Sequence, residues 1–431
     1  MNNKDSPFAP FEVRSFRFQW PSDLLTSLAF EMETLILGWY VFVETRSVVL
    51  LAVFGSLQYL GTLIAPMFGV MGDRVERRTM LCAMRAYYSV LAIAMMALGI
   101  GELLNPAFVF AIAVLSGLVR PSDLIMRMAL IGDTMPGDRL MKALGLARMT
   151  MDSARIFGAL AGASLFSLLG IGYSYIFVAA FYAASFCLTL GVSRGRVSDG
   201  SVSAAGDSGH RLAQAGAGAA AAAHPPPAFP RNSGWRDLKD GLAYVWNTPK
   251  VLAIMWLAFL TNFAAYPLSN GLLPYVAKQI YRIDALGLSY LAAAFGAGAL
   301  AGSILMTVTG GPRHTTRIML VSLLLWYASI NVFASLEMQA AGIALLFVAG
   351  FFQSTAMISM AVAILTTVTE RFRARVMGVR MLAVYGLPVG LLLAGIMIDS
   401  FGFAAALTAY CAAGVAITIL IAYQWRDSIW R

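Results

Sequence analysis

The chain has 431 residues, of which 59% are hydrophobic and only 12% charged, with a formal net charge of +9. A mean hydropathy of +0.74 excludes an ordinary soluble domain. A membrane helix needs about 20 apolar residues, so this length accommodates roughly twelve spans joined by short connections.

The polar start carries Lys4, Arg14 and Arg17, and no small-residue cleavage site follows the first apolar run, so no cleavable signal peptide is expected. The pattern predicts a first span over Pro21–Val43 and a second over Val48–Phe68. The ten residues GVMGDRVERR, Gly69 to Arg78, then form a charged turn in which Asp73 sits among Arg74, Arg77 and Arg78, while Gly69 and Gly72 permit a tight reversal. Spans three to six are expected over Met80–Ile100, Ala107–Ile131, Leu144–Leu169 and Tyr173–Val192.

Arg194 to Pro230 is an Ala/Gly/Ser-rich run ending in consecutive prolines, which cannot bury a core and reads as a disordered linker. Trp235 to Trp246 is amphipathic and reads as a helix on the membrane surface. Six more spans follow, over Val251–Val276, Leu288–Val308, Ile318–Ser335, Ala340–Val368, Val376–Ile398 and Phe403–Tyr423. The division is therefore 1–193, a linker 194–234, and 235–431 with the surface helix. Cys82, Cys187 and Cys411 all fall inside spans without metal or disulfide spacing and read as small core residues.

Basic residues set the orientation. With both termini inside, the inner loops collect Arg74, Arg77, Arg78, Arg139, Lys142, Arg313, Arg317, Arg371, Arg373 and Arg375, whereas the outer side has little beyond Arg46, Lys278 and Arg282. The positive-inside rule places both termini in the cytoplasm, and the basic excess marks a membrane surface rather than a nucleic-acid partner.

The segment RRTML at Arg77–Leu81 is echoed by TRIML at Thr316–Leu320, each opening the third span of its half, with Pro312 where the first copy has Asp73. Together with the loop at Gly69, this resembles the major facilitator superfamily of transporters. DLKDGLAYVWNTP before the seventh span and RARVMGVRMLAVYGLPVGLLLAGIMIDSFG from Arg373 to Gly402 resemble its enterobactin-exporter branch. The resemblance implies an all-α membrane protein of twelve helices in two pseudo-symmetric six-helix bundles. It also implies export of a siderophore-like or other amphipathic small molecule by proton antiport with alternating access. It makes Asp73 a gating residue that holds the second, fourth and eleventh helices together at the cytoplasmic side. The expected partners are a small-molecule substrate, protons and the lipid bilayer. A monomer in the bacterial cytoplasmic (inner) membrane is expected, with no cofactor and no metal.

Ionisable groups inside spans are costly, so they are either paired or functional. Asp23, Ser27, Glu31 and Thr34 recur at helical spacing along the first span, and Glu31 is expected to face a central cavity as a protonatable carboxylate. Glu33, roughly 200° around the helix, turns toward a neighbour. The fourth span carries Arg120, Asp123 and Arg127, and the fifth carries Arg148, Asp152 and Arg155, in mirror-image spacing. If the two helices are antiparallel neighbours, Arg127 lies level with Arg148, Asp123 with Asp152, and Arg120 with Arg155, as an ion-pair lattice or a substrate site. Arg127 is also the expected partner of Asp73.

In the second half, Asn262, Tyr266 and Asn270 lie four apart, Gln353, Ser354 and Thr355 interrupt the tenth span, and Arg380 and Tyr385 lie on the eleventh. Such groups suit an aromatic, hydrogen-bonding substrate. Gly158 with Gly162, Gly298 with Gly302, and Gly386 with Gly390 are small-residue seams, expected either between the halves or in ordinary helix packing. His210, His224 and His314 all lie in loops and no GxxxxGK[ST] phosphate loop is present, which argues against a membrane enzyme and an ATP-driven pump. Lysophospholipid flipping, proton-coupled uptake, and a receptor or scaffold role remain the alternatives.

Overall fold

Backbone amides in lipid are satisfied only within helices or closed barrels. In the computed structural model, which describes residues 9–62, 76–193, 234–308, 315–369 and 372–429, the regular structure is helical and no strand occurs among the described residues. Ten helical stretches are long and apolar enough to cross a membrane. One of them, Lys142–Leu190, contains Gly170 at φ 75 and ψ 179, a conformation open to glycine that turns the chain back on itself. Before this turn Gly162 lies against Met32, and after it Ser185 and Thr189 reach Ser22, so the two limbs run in opposite directions along one helix. They are the fifth and sixth spans, 137–169 and 171–190. With the shorter apolar segment Val48–Thr62, the described residues hold twelve apolar spans.

The other spans are Arg14–Thr45, Arg77–Ile100, Pro106–Thr134, Pro249–Ile280, Ala285–Val308, Thr315–Ala334, Gln339–Thr367, Arg375–Phe401 and Phe403–Gln424, numbered in chain order. The second span is not the continuous helix expected: it ends at Leu57, breaks at Gln58 and Tyr59, and resumes as a 3-10 turn at Leu60–Thr62. The seventh contains π turns at Leu268–Leu272 and Val276–Ile280, and the eleventh a 3-10 turn at Ala383–Tyr385. The tenth, in contrast, is unbroken through Gln353, Ser354 and Thr355, all of which are buried.

Glycine contacts show the internal repeat more clearly than the sequence echo. Gly158 and Gly162 of the fifth span abut Leu28 and Met32 of the first, and Gly386 and Gly390 of the eleventh abut Phe259 and Phe263 of the seventh. Gly117 of the fourth abuts Leu57 of the second, and Gly298 of the eighth abuts Phe347 of the tenth. Each contact in the first six spans thus has its counterpart six spans later. These seams pack helices within a half; contacts between halves fall to other glycines, such as Gly38 against Pro274, Gly55 against Leu391, Gly395 against Ala52, and Gly296 against Ile156.

One core of buried side chains fills the first half around Ile36, Met84 and Tyr182, and another fills the second around Leu257, Trp326 and Met360. The halves close on each other toward the end where the first span finishes and the second begins. There Phe42 meets Tyr275 edge to face at 5.4 Å, and the Lys278 ammonium lies 5.6 Å from the Trp39 ring. The surface helix, Gly234–Asn247, packs on the start of the eleventh span. Tyr244 stacks on Phe372 at 4.6 Å, and Asp240 lies 3.3 Å from Arg375. Cys411 is buried, but Cys187 is exposed on its helix and fills no core.

Candidate transport site

The first span organises the charged interior. Its residues Asp23, Ser27, Glu31 and Thr34 follow one another at intervals of four, four and three, which places them on one face. Each meets an arginine of the third, fourth or fifth span. Asp23 pairs with Arg85 of the third span and lies 3.8 Å from Arg127 of the fourth. Ser27 accepts from Arg127 at 2.9 Å, Glu31 lies 3.8 Å from Arg155 of the fifth, and Thr34 accepts from Arg120 of the fourth at 3.0 Å.

This geometry corrects the expected lattice. Arg127 pairs with Asp123 one turn away on its own helix at 2.5 Å, and Arg148 likewise with Asp152 at 3.2 Å. Arg120 and Arg155 do not face each other's helix but converge on the first span, which lies against the fifth. Mirror-image spacing fixes the face of each helix and leaves its neighbour undetermined. Arg127 is engaged by Asp123 and Asp23, and its expected pairing with Asp73 falls on a residue outside the described ones. Gly69, Gly72, Asp73 and Arg74 lie outside the described residues. Of the same loop, Arg77 pairs with Asp133 at 2.6 Å, and Arg78 donates to the Thr189 carbonyl at 3.3 Å and to that of Leu190. Both basics thus tie the start of the third span to the ends of the fourth and sixth.

Asp23, Asp123, Arg85 and Arg127 form a buried group of two acids and two bases. Arg85 is fully buried and also donates to Ser22 and Thr189. Arg85 and Asp133 were not singled out from sequence, although Arg85 carries the usual signal, an arginine inside an apolar run. Glu33 points away from this stripe, is buried, and accepts from the Tyr182 hydroxyl of the sixth span at 2.9 Å.

The Glu31–Arg155 pair is the more open one, with side-chain exposures of 27% and 37%. It sits where the halves meet, since a Cβ at Gly296 of the eighth span would lie 3.7 Å from the Arg155 side chain. Around it are groups from the broken spans. Arg120 donates to Gln58 at 2.6 Å and lies 4.4 Å above the Phe30 ring. The Tyr59 hydroxyl meets Asn270 at 3.5 Å, and Gln353 donates to the Tyr266 hydroxyl at 2.6 Å. Tyr385 donates to the Thr62 carbonyl at 2.6 Å, bridging the halves. Asn262 only donates to the Ala258 carbonyl of its own helix, and Thr355 ties the tenth span to Ser322 of the ninth. Backbone breaks beside a polar chamber are how spans accommodate a binding site without exposing amides to lipid.

A family model, Major Facilitator Superfamily, matches residues 24–315, more than half of the sequence. The chain belongs to that superfamily. Its fold places it with transporters rather than enzymes, and it is a multi-pass membrane protein. Among solved structures it is similar to a POT family transporter in complex with 5-aminolevulinic acid, at TM-score 0.69 and 14% identity, covering 97% of both chains. It is similar also to a bacterial homologue of the human lysosomal transporter Spinster, at TM-score 0.67 and 13% identity, with 96% of each chain covered. The human organic anion transporter MFSD10 aligns at TM-score 0.57 and 18% identity, over 96% of this chain and all of the other. No curated protein sequence matches.

Proposed function

We propose that this chain is a proton-coupled carrier of a small amphipathic molecule, siderophore-like or drug-like, that works by alternating access about the Glu31–Arg155 pair. The observation that carries the reading is the position of that pair: partly exposed, at midspan, and against the eighth span of the opposite half. A carboxylate there can exchange its arginine for a proton as the halves move. The broken spans two, seven and eleven supply the polar wall. In the orientation set by the basic loops, the closed end is the outer one and both termini are cytoplasmic.

Export by proton antiport, the direction implied by the exporter resemblance, follows when cargo and proton exclude each other at Glu31. Symport is a second reading, favoured by the identity of the counter-ion. An anion that takes Arg155 displaces Glu31, whose carboxylate then holds a proton instead, so cargo and proton bind together. Either way Glu31 is the coupling group.

The test uses purified protein in proteoliposomes loaded with a pH-sensitive dye. Three aromatic probes are added in turn: 4-hydroxybenzenesulfonate, 4-hydroxybenzenesulfonamide and tyramine. Proton movement driven by at least one is expected with the unaltered chain and not with Glu31→Gln. Coupled movement that survives Glu31→Gln removes the assigned role, and proton movement with none of the probes favours a receptor or scaffold.

A further inference from the structure

The helix of the second span, Val48–Leu57, stops after 10 residues, about 15 Å from the closed end. Gln58 and Tyr59 form a turn, and Leu60–Thr62 resume as 3-10. The backbone there crosses the fourth span closely, since a Cβ at Gly117 would strike the Leu57 carbonyl and one at Gly61 the Leu118 carbonyl. Arg120 follows Gly117 by three residues, which puts it on the same side of its helix, beside the break.

Side chains of three spans meet at that break. The Arg120 guanidinium donates to Gln58 Oε1 at 2.6 Å and to the Thr34 hydroxyl of the first span at 3.0 Å, and Thr34 donates to the same Gln58 oxygen at 3.2 Å. These bonds close a triangle around one acceptor. Arg120 is itself seated on the Phe30 ring at 4.4 Å, and a charged donor holds an acceptor more firmly than a neutral one. Immediately beyond the triangle the chain reaches the other half: the Tyr59 hydroxyl donates to Asn270 at 3.5 Å, and the Thr62 carbonyl accepts from Tyr385 at 2.6 Å. Asn270 belongs to a π turn of the seventh span and Tyr385 to the 3-10 turn of the eleventh, so breaks in both halves meet through these bonds.

We infer that Arg120 is a positioning residue for the contact between the halves: by gripping Gln58 it holds the turn of the second span in the conformation that presents Tyr59 and the Thr62 carbonyl to Asn270 and Tyr385. The turn has only short-range backbone bonds of its own, from Tyr59 to Ser56 at 3.1 Å and from Thr62 to Tyr59 at 3.0 Å. Bonds of this 3-10 kind have poorer geometry than those of an α-helix. The grip of Arg120 and Thr34 therefore fixes the turn against the rest of the first half. Its loss lets the segment relax and weakens both bridges together.

Pulsed EPR distances on the full chain in lipid nanodiscs test this, with spin labels at Arg46 and Arg282 of opposite halves. Gln58→Met removes the shared acceptor and should raise the population at long distances by about fivefold or more, the effect of losing at least one hydrogen bond. Gln58→Glu keeps an acceptor for Arg120 and should return the parent distribution. Tyr385→Phe added to Gln58→Met should then add little, whereas independent changes would multiply by about a further fivefold. Thr34→Val, which removes the third corner of the triangle with little change of shape, takes the place of Gln58→Met should that variant not fold. An unchanged distribution, a Gln58→Glu protein as open as Gln58→Met, or a full further fivefold on adding Tyr385→Phe overturns the inference. No cargo enters the measurement, so its outcome is independent of the role given to Glu31.

Discussion

Arg85 of the third span reaches Asp23 of the first with its whole side chain buried, and the same carboxylate lies 3.8 Å from Arg127. Removing one member of such a group leaves a charge without compensation inside the protein, which costs about 3–5 kcal/mol. Asp23→Asn is therefore expected to lower the melting temperature of the purified protein markedly. Asp23→Asn combined with Arg85→Met, which removes both charges, should recover much of the loss. A single variant as stable as the parent would show that the group is already dispensable.

The order and approximate limits of the spans are legible in the sequence because hydropathy accumulates residue by residue. The break at Gln58 is not, since Leu57, Tyr59 and Leu60 on either side keep the run apolar. The stripe from Asp23 to Thr34 was equally legible, as helical spacing sets its face. Its partners were not: nothing local in Arg120 or Arg155 says that the first span, and not the other's helix, stands opposite. Pairing depends on which helices are neighbours, and this is decided by packing at positions such as Gly158 and Gly162.

Those glycines give a second prediction. A Cβ at Gly162 would stand 2.9 Å from the Met32 Cα, backbone that cannot swing aside. Gly162→Leu is expected to push the fifth span from the first and destabilise the protein by about 1–3 kcal/mol, as overpacking does. Gly145, with open space around it, is the control position. Thermal unfolding of Gly162→Leu and Gly145→Leu in parallel should separate them, and equal melting temperatures would refute the close approach.

The Arg77–Asp133 pair makes a contrasting case. Its side chains are 29% and 36% exposed, so water and salt screen it. Asp133→Asn should cost no more than about 1 kcal/mol, and less in high salt. Denaturation at low and high ionic strength measures this. A loss as large as that of Asp23→Asn would mean that the pair is a structural hub and not a solvated tie between the third and fourth spans.

Tyr385 gives the prediction that bears most directly on movement. Its hydroxyl donates to the Thr62 carbonyl across the two halves, at the 3-10 turn of the eleventh span and the end of the broken second span. Nearby, Ser56 donates to the Pro388 carbonyl at 3.0 Å, so the halves are tied near midspan, inward of the packed closed end, by a few hydrogen bonds. One such bond contributes about 1 kcal/mol, or roughly a fivefold change in the balance between closed and open. Tyr385→Phe removes only the donor and keeps the ring. Spin labels placed at Arg46 and Arg282, on loops of opposite halves at the closed end, report the separation. The variant should gain population at long distances. An unchanged distribution would place the hydroxyl among groups that merely fill space, and the closure would then rest on contacts such as Gly395 against Ala52.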